Sequence, residues 1–243
     1  MKDRADKLLV SLGHFDSRAG ARAAIEAGRV TANGVTVAKP SQMLSSEDVI
    51  LAEAAHPYVS RGGLKLAHAL EAFGVDPAGR HCLDIGASTG GFTDVLLRAG
   101  AAHVTAIDVG REQLHASLRG HPRVTSLEAQ DARTLTAAML PAPPSLLVCD
   151  ASFIGLEKLL DVPLSLAAAG ADLVGLFKPQ FQVGRAHVGK GGLVTDAAAT
   201  ERAADAFAEW MNEKGWPIHA WTASPISGGD GNAERLFHAV RAQ

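Results

Sequence analysis

The chain has 243 residues, 47% hydrophobic and 20% charged, enough apolar material to fill a core across one or two domains. Its 23 basic and 26 acidic side chains leave a formal charge of −3, which excludes a uniformly basic nucleic-acid coat but leaves room for a local basic patch. Two cysteines, Cys82 and Cys149, exclude a disulfide scaffold and a four-cysteine zinc site, and each sits in an apolar run that reads as a buried, reduced thiol.

The first residues alternate charges and show no apolar core of a signal peptide. The longest apolar stretch, residues 164–177, is too short to span a bilayer and contains Asp172. The expectation is a soluble cytoplasmic protein with no membrane partner and no metal.

In chain order, residues 4–12 read as a helix stopped by Gly13, and Ser17 caps a second helix that runs to Ala27 and stops at Gly28. Strands at 29–31 and 35–37 flank Asn33-Gly34, a tight-turn signal, and 49–51 makes a third strand. Residues 1–55 thus form a small α+β domain. Residues 56–61 form a connector, in which Pro57 restricts His56 to extended conformations. After Gly62-Gly63 a helix is predicted over 64–73. Strands at 82–85, 104–108, 124–127, 146–150 and 173–177 then alternate with helices at 89–99, 112–118, 133–140, 155–168 and 196–214. Strands at 218–222 and 236–240 close the chain. Such alternation makes 62–243 an α/β domain with a parallel sheet covered on both faces.

The most informative stretch is Asp84-Ile85-Gly86-Ala87-Ser88-Thr89-Gly90-Gly91-Phe92-Thr93, a glycine-rich turn between strand and helix. Glycines let backbone approach a ligand closely. A dinucleotide loop would need glycine where Ser88 stands, and the phosphate-loop lysine is absent, which weakens NAD and ATP readings. Asp108 ends the second strand, where an acid can accept from ribose hydroxyls, and Asp131 follows the third, where a side chain can reach an adenine edge. The competing reading is that these acids only cap helices.

Lys65, Asp150, Lys178 and Glu234 are polar residues in apolar or glycine-rich settings. Lys178 directly follows Val174-Gly175-Leu176-Phe177, and a buried ammonium there needs carboxylate partners. A structural ion pair is one explanation. The other is chemical: a ribose 2′-hydroxyl needs a base to take its proton and groups to hold its oxygen in line.

The glycine loop resembles the first motif of S-adenosylmethionine-dependent methyltransferases, specifically the FtsJ/RrmJ-like group. Lys65, Asp150, Lys178 and Glu234 match in order and context the Lys-Asp-Lys-Glu tetrad of FtsJ-like RNA 2′-O-methyltransferases. Phe177-Lys178-Pro179-Gln180-Phe181 and Val59-Ser60-Arg61-Gly62-Gly63 look like the TlyA, or haemolysin A-like, subfamily. The resemblance implies a Rossmann-like fold with a seven-stranded, mostly parallel sheet, and S-adenosylmethionine as cofactor. It also implies Lys178 as base with the other three positioning. Its cofactor set is Asp84, Gly86, Ala87, Ser88, Gly90, Gly91, Phe92, Asp108, Val109, Asp131, Ala132 and Asp150.

Residues 1–55 resemble an S4 RNA-binding domain through Ser17-Arg18-Ala19-Gly20-Ala21-Arg22, Ala27-Gly28-Arg29-Val30 and Lys39-Pro40-Ser41. The resemblance implies ribosomal RNA within a ribosomal subunit as partner. Arg4, Arg18, Arg22, Arg29 and Lys39 suit phosphate contact, as do Arg61, Arg185 and Lys190 in the second domain. Seven acids balance the seven basic groups of residues 1–60, so a solvated face competes with this reading. The loop 178–195 carries no acid and reads either as an RNA clamp or as a plain flexible loop. Relatives commonly carry arginine and tryptophan in the connector; here it reads His56-Pro57-Tyr58-Val59. By analogy with short family members, a cytidine ribose of 23S rRNA is favoured over 16S. A haemolysin-like membrane-active protein and a non-catalytic ribosome-assembly factor are the alternatives, with a small-molecule O-methyltransferase third.

Overall fold

The structure, a computed structural model, describes residues 2–242. The chain divides into two compact units between Pro57 and Tyr58.

The first unit runs β1 (Lys2–Arg4), α1 (Ala5–Ser11), α2 (Arg18–Glu26), β2 (Val30–Ala32), β3 (Val35–Thr36), β4 (Met43–Ser45) and β5 (Ile50–Ala52). Ser17 caps α2, its Oγ accepting from the Gly20 amide at 3.2 Å. Asn33 and Gly34 both adopt positive φ, 51° and 77°, as the tight turn between β2 and β3 requires. Leu8, Leu9, Ala24, Ile25, Val30, Val37 and Leu44 form the core. The β1–β4 pair has no signature in the sequence: Lys2-Asp3-Arg4 has no apolar alternation, and only pairing with β4 makes it a strand.

Asp6 is fully buried, with Oδ1 3.0 Å from Arg4 Nε and Oδ2 2.7 Å from Arg18 Nη2. The hydrogen bond from Arg4, helped by Arg18, holds its carboxyl down to about 2. A depressed acid stabilises the fold above its unfolded pKa, and that stability is lost as pH falls through the folded one. Asp6→Asn is therefore expected to cost about 1 kcal/mol at neutral pH, the arginines being half-exposed and screened. In chemical denaturation at a series of pH values, the gap between wild type and variant should close as pH drops from about 4 towards 2. A gap independent of pH would contradict this.

The second unit begins with α3 (Gly62–Phe73), then β6 (His81–Ile85), α4 (Gly91–Arg98), β7 (His103–Asp108), β8 (Val124–Glu128), β9 (Leu146–Cys149), α5 (Leu156–Ser165), β10 (Asp172–Phe177), α6 (Ala197–Glu213), β11 (Ile218–Ala223) and β12 (Arg235–Val240). The sheet order is β11-β12-β10-β9-β6-β7-β8. Strands β10, β9, β6, β7 and β8 are parallel, and β12 lies antiparallel between β10 and β11. This is the seven-stranded, mostly parallel sheet expected.

Successive strand residues point to opposite faces and feed two cores. Leu83, Ile85, Leu147, Leu160, Phe177 and Phe207 fill one. Leu66, Cys82, Leu96, Val104, Val148 and Val174 fill the other. Burial pushes both Cys82 and Cys149 thiols up to about 12. Neither is expected to react with iodoacetamide in the native protein at mildly alkaline pH, and both should label once denatured. Rapid native labelling, read by mass spectrometry, would contradict the burial.

Two predicted helices are not helices. Residues 112–118 are bends and turns in which the Glu128 carboxylate accepts from the Gln113 and Leu114 amides at 2.7 and 3.0 Å. Leu114 and Leu118 mimicked a helical i,i+4 pair, but they fill the space that Gly90 leaves open. Residues 133–140 form two single 3₁₀ turns, Ala132–Thr134 and Ala137–Met139, and the proline-rich stretch that follows cannot continue a helix.

Candidate active site

The chain leaves β6 for β7 on one side, while β9 lies on the other, so the sheet order reverses at the carboxyl end of β6. Such a switch point opens a crevice above the strands. The glycine loop lies there. Gly86 takes φ 81°, and a Cβ on it would sit 3.0 Å from the Asp150 carbonyl oxygen. Gly90 takes φ 89° as the N-cap of α4, and a Cβ would meet Leu118 at 2.3 Å. A Cβ on Gly91 would meet Ser60 Oγ at 2.3 Å. These glycines are set by close approach and by left-handed backbone.

The acids around the loop differ in setting. Asp84 is fully buried; its Oδ2 accepts from Thr93 Oγ1 at 2.6 Å, and its Oδ1 has no hydrogen-bond partner among the described residues. Burial pushes this carboxyl up to about 7. The Asp108 carboxylate accepts from the Ser88 amide at 2.8 Å and the Gly110 amide at 2.7 Å. Each oxygen keeps a further lone pair, and Asp108 lines the larger cleft at the glycine loop. Asp131 caps the 3₁₀ turn, accepting from the Arg133 amide at 2.9 Å, and the Arg133 guanidinium holds its carboxyl below the usual range. The capping reading of Asp131 thus describes its contacts, although it also lines the cleft.

Two adjoining cavities result. A cleft of about 530 Å³ is lined by Ile107, Asp108, Val109, Asp131, Ala132 and Leu159 among others. A smaller one of about 200 Å³ is lined by Ser60, Ala87, Gly91, Phe92 and Lys178. Gly86, Ser88, Asp150 and Ser152 line both.

The four polar residues form two ion pairs. Lys178 Nζ lies 2.5 Å from Asp150 Oδ1 and donates to Ser152 Oγ at 2.9 Å. Lys65, on the first turn of α3, donates to Glu234 Oε2. Lys65, Lys178 and Glu234 are only 8%, 7% and 5% exposed. Strands β10 and β12 pair Phe177 with Arg235, and Lys178 and Glu234 are the next residues beyond that pair. That register sets Glu234 beside Lys178 at one end of the sheet, and of the four residues Lys178 and Asp150 line the cavities at the glycine loop.

Residues 58–241 match the FtsJ-like methyltransferase family. The chain belongs to that family. Residues 3–50 match the S4 domain family. The chain is 45% identical over 242 residues to the 16S/23S rRNA (cytidine-2′-O)-methyltransferase TlyA of Mycobacterium tuberculosis, covering 99% of this chain and 90% of that one. It is 37% identical to the 23S rRNA (cytidine-2′-O)-methyltransferase TlyA of Campylobacter jejuni, over 84% and 81% of the two chains. Hemolysin A of Brachyspira hyodysenteriae is 38% identical, over 98% and 99%. A solved structure from Streptococcus thermophilus is 36% identical with a TM-score of 0.79, covering 100% of this chain and 89% of that one.

The basic residues of this FtsJ-like protein are more constrained than their sequence suggests. Arg4 and Arg18 share Asp6, Arg22 lies 3.9 Å from Glu26, and Arg29 lies 3.4 Å from Glu53. Lys39, Arg61, Arg185 and Lys190 are exposed. The loop after Lys178 is built from 3₁₀ turns at Pro179–Phe181, Arg185–His187 and Lys190–Gly192. Asn232, 2% exposed, pins it by accepting from the Val194 amide and donating to the Gly192 carbonyl, both at 2.9 Å. Sequence reasoning missed Asn232, Ser152 and Phe153. Phe153 has φ 69°, is 91% exposed and lies 5.3 Å from the Phe181 ring. The one signal was position: Ser152-Phe153 follows a strand that ends in an acid.

Proposed function

We propose that this methyltransferase moves a methyl group from S-adenosylmethionine to the 2′-oxygen of a cytidine ribose in ribosomal RNA. The observation that carries the reading is the Lys178–Asp150 contact lining the glycine-loop cavity, with the buried Lys65–Glu234 pair next to Lys178 in the β10–β12 register. The catalytic unit is assigned to residues 62–243 and RNA docking to residues 1–55, with 56–61 joining them. Both methyltransferase relatives named above act on 23S rRNA by name, which favours that RNA. The setting is a ribosomal subunit in the cytoplasm.

The residues present fit the cofactor. Asp108 offers lone pairs for ribose hydroxyls, and apolar Ile107, Val109, Ala132 and Leu159 offer a slot for a flat base, while the buried Asp84 accepts from Thr93 on α4. Gly86, Ala87, Ser88, Gly90, Gly91 and Phe92 shape the backbone between them. When bound, the cofactor supplies a methyl group on a cationic sulfur. Lys178 takes the proton from the 2′-hydroxyl. Asp150 holds the Lys178 side chain, and Lys65 and Glu234 are assigned the positioning of the hydroxyl. Arg4, Arg18, Arg22, Arg29, Lys39, Arg61, Arg185 and Lys190 supply phosphate contacts, and Phe153 offers an exposed ring on which a base can stack.

Asp108→Ala is expected to weaken cofactor binding about 10- to 100-fold by calorimetry, because two charge-assisted hydrogen bonds to ribose are lost. The deciding experiment incubates purified protein and labelled cofactor with ribosomal subunits from cells lacking the protein, then maps 2′-O-methylation. A new methylated cytidine is the expected result; no labelled RNA would reject the reading. No described helix is long and apolar enough to cross a membrane, but a relative is named Hemolysin A, so vesicle leakage is measured in parallel. Leakage without RNA methylation would favour the membrane-active alternative.

A further inference from the structure

We infer that Ser152 is a positioning residue for the proposed base: its hydroxyl, with Asp150, fixes the direction in which Lys178 Nζ meets the ribose hydroxyl. The inference rests on Lys178 acting as that base. An amine nitrogen has three positions besides its carbon stem. Ser152 Oγ takes one as a hydrogen-bond acceptor at 2.9 Å. Asp150 Oδ1 lies 2.5 Å away as the charge partner but makes no hydrogen bond among the described residues. A hydrogen bond is directional and an ion pair is not, so the serine sets the rotation of the nitrogen about its stem.

The choice of a hydroxyl has a chemical reason. Any acceptor of an ammonium hydrogen bond favours the charged lysine, and a carboxylate does so most strongly. A second carboxylate in place of Ser152 would hold the proton that a base must lose. Serine gives direction at a smaller cost in basicity.

The local backbone supports the assignment. Ser152 is followed by Phe153 at φ 69°, a conformation that costs a bulky residue strain, and such strain gathers at functional sites. Ser152 lines both the larger cleft and the Lys178 pocket.

The test compares wild type, Ser152→Ala, Ser152→Thr and Lys178→Ala as full chains, with undermethylated ribosomal subunits as substrate. Single-turnover rates are measured against pH, and cofactor affinity by calorimetry. Ser152→Ala is expected to lower the plateau rate about 10- to 100-fold. Cofactor affinity should stay within about 2-fold, and Ser152→Thr should restore the rate to within about 3-fold. A wild-type rate in Ser152→Ala overturns the inference. So does a loss matched by an equal fall in cofactor affinity, which marks a merely structural role, or a failure of threonine to rescue. Full activity in Lys178→Ala rejects the base assignment itself, and is read separately from the serine variants.

Discussion

Lys178→Ala is expected to lower methyl transfer by about 10²- to 10⁴-fold, the range that a positioned general base contributes. Cofactor affinity should change little, because the ribose contacts assigned to Asp108 lie elsewhere in the cleft. The fold should survive: Asp150, the partner left behind, has a side chain 21% exposed and can recruit water. Lys178→Arg keeps the charge but cannot serve as a base near neutral pH, so it should be as inactive as alanine. The measurement is single-turnover transfer to ribosomal subunits, with calorimetric binding of the cofactor as control. Retained activity in either variant would remove Lys178 from the role of base.

The second large effect concerns stability as well as rate. Glu234→Gln leaves the Lys65 ammonium buried against a neutral amide, with both residues less than a tenth exposed. Breaking a buried pair on one side costs about 3–5 kcal/mol. The denaturation midpoint should fall accordingly and activity should fall with it. The double variant Lys65→Met, Glu234→Leu separates the two effects. It should recover most of the stability, since apolar replacement of a whole buried pair is close to neutral, yet remain inactive. A stable, active Glu234→Gln would show that the pair does neither job.

Both expectations rest on residues that are conspicuous in the sequence itself. Lys178 after four apolar residues could not be an ordinary surface charge, and Asp84 to Thr93 announced a backbone loop built for close approach. The central strands β6, β7, β9 and β10 were legible because each is a short, largely apolar run bounded by glycine or acid, with the period-two division between the two cores. Where the reading failed, local pattern and tertiary use diverged. Leu114 and Leu118 have helical spacing, but they pack against Gly90 from a turn. Lys2-Asp3-Arg4 has no strand pattern, because β4 supplies its partner from 39 residues or more away.

The basic residues show the same divide. Composition shows acids matching bases in the first 60 residues. It could not show that Asp6 gathers Arg4 and Arg18, while Arg22 and Arg29 each hold a carboxylate of their own. Pairing alters how much of each cation is offered to a phosphate.

Residue order carries the class of chemistry: a glycine loop, acids at strand ends, and two lysines with two carboxylates in apolar settings. Such features are local, and local sterics and burial preferences write them into short windows. Which lysine meets which carboxylate is not local. Lys65 and Glu234 are 169 residues apart, and Lys178 reaches Ser152 across 26. Only the parallel sheet, its switch point at β6 and the antiparallel register of β10 on β12 bring those partners within hydrogen-bond distance, because contact there depends on chain crossing rather than on sequence spacing.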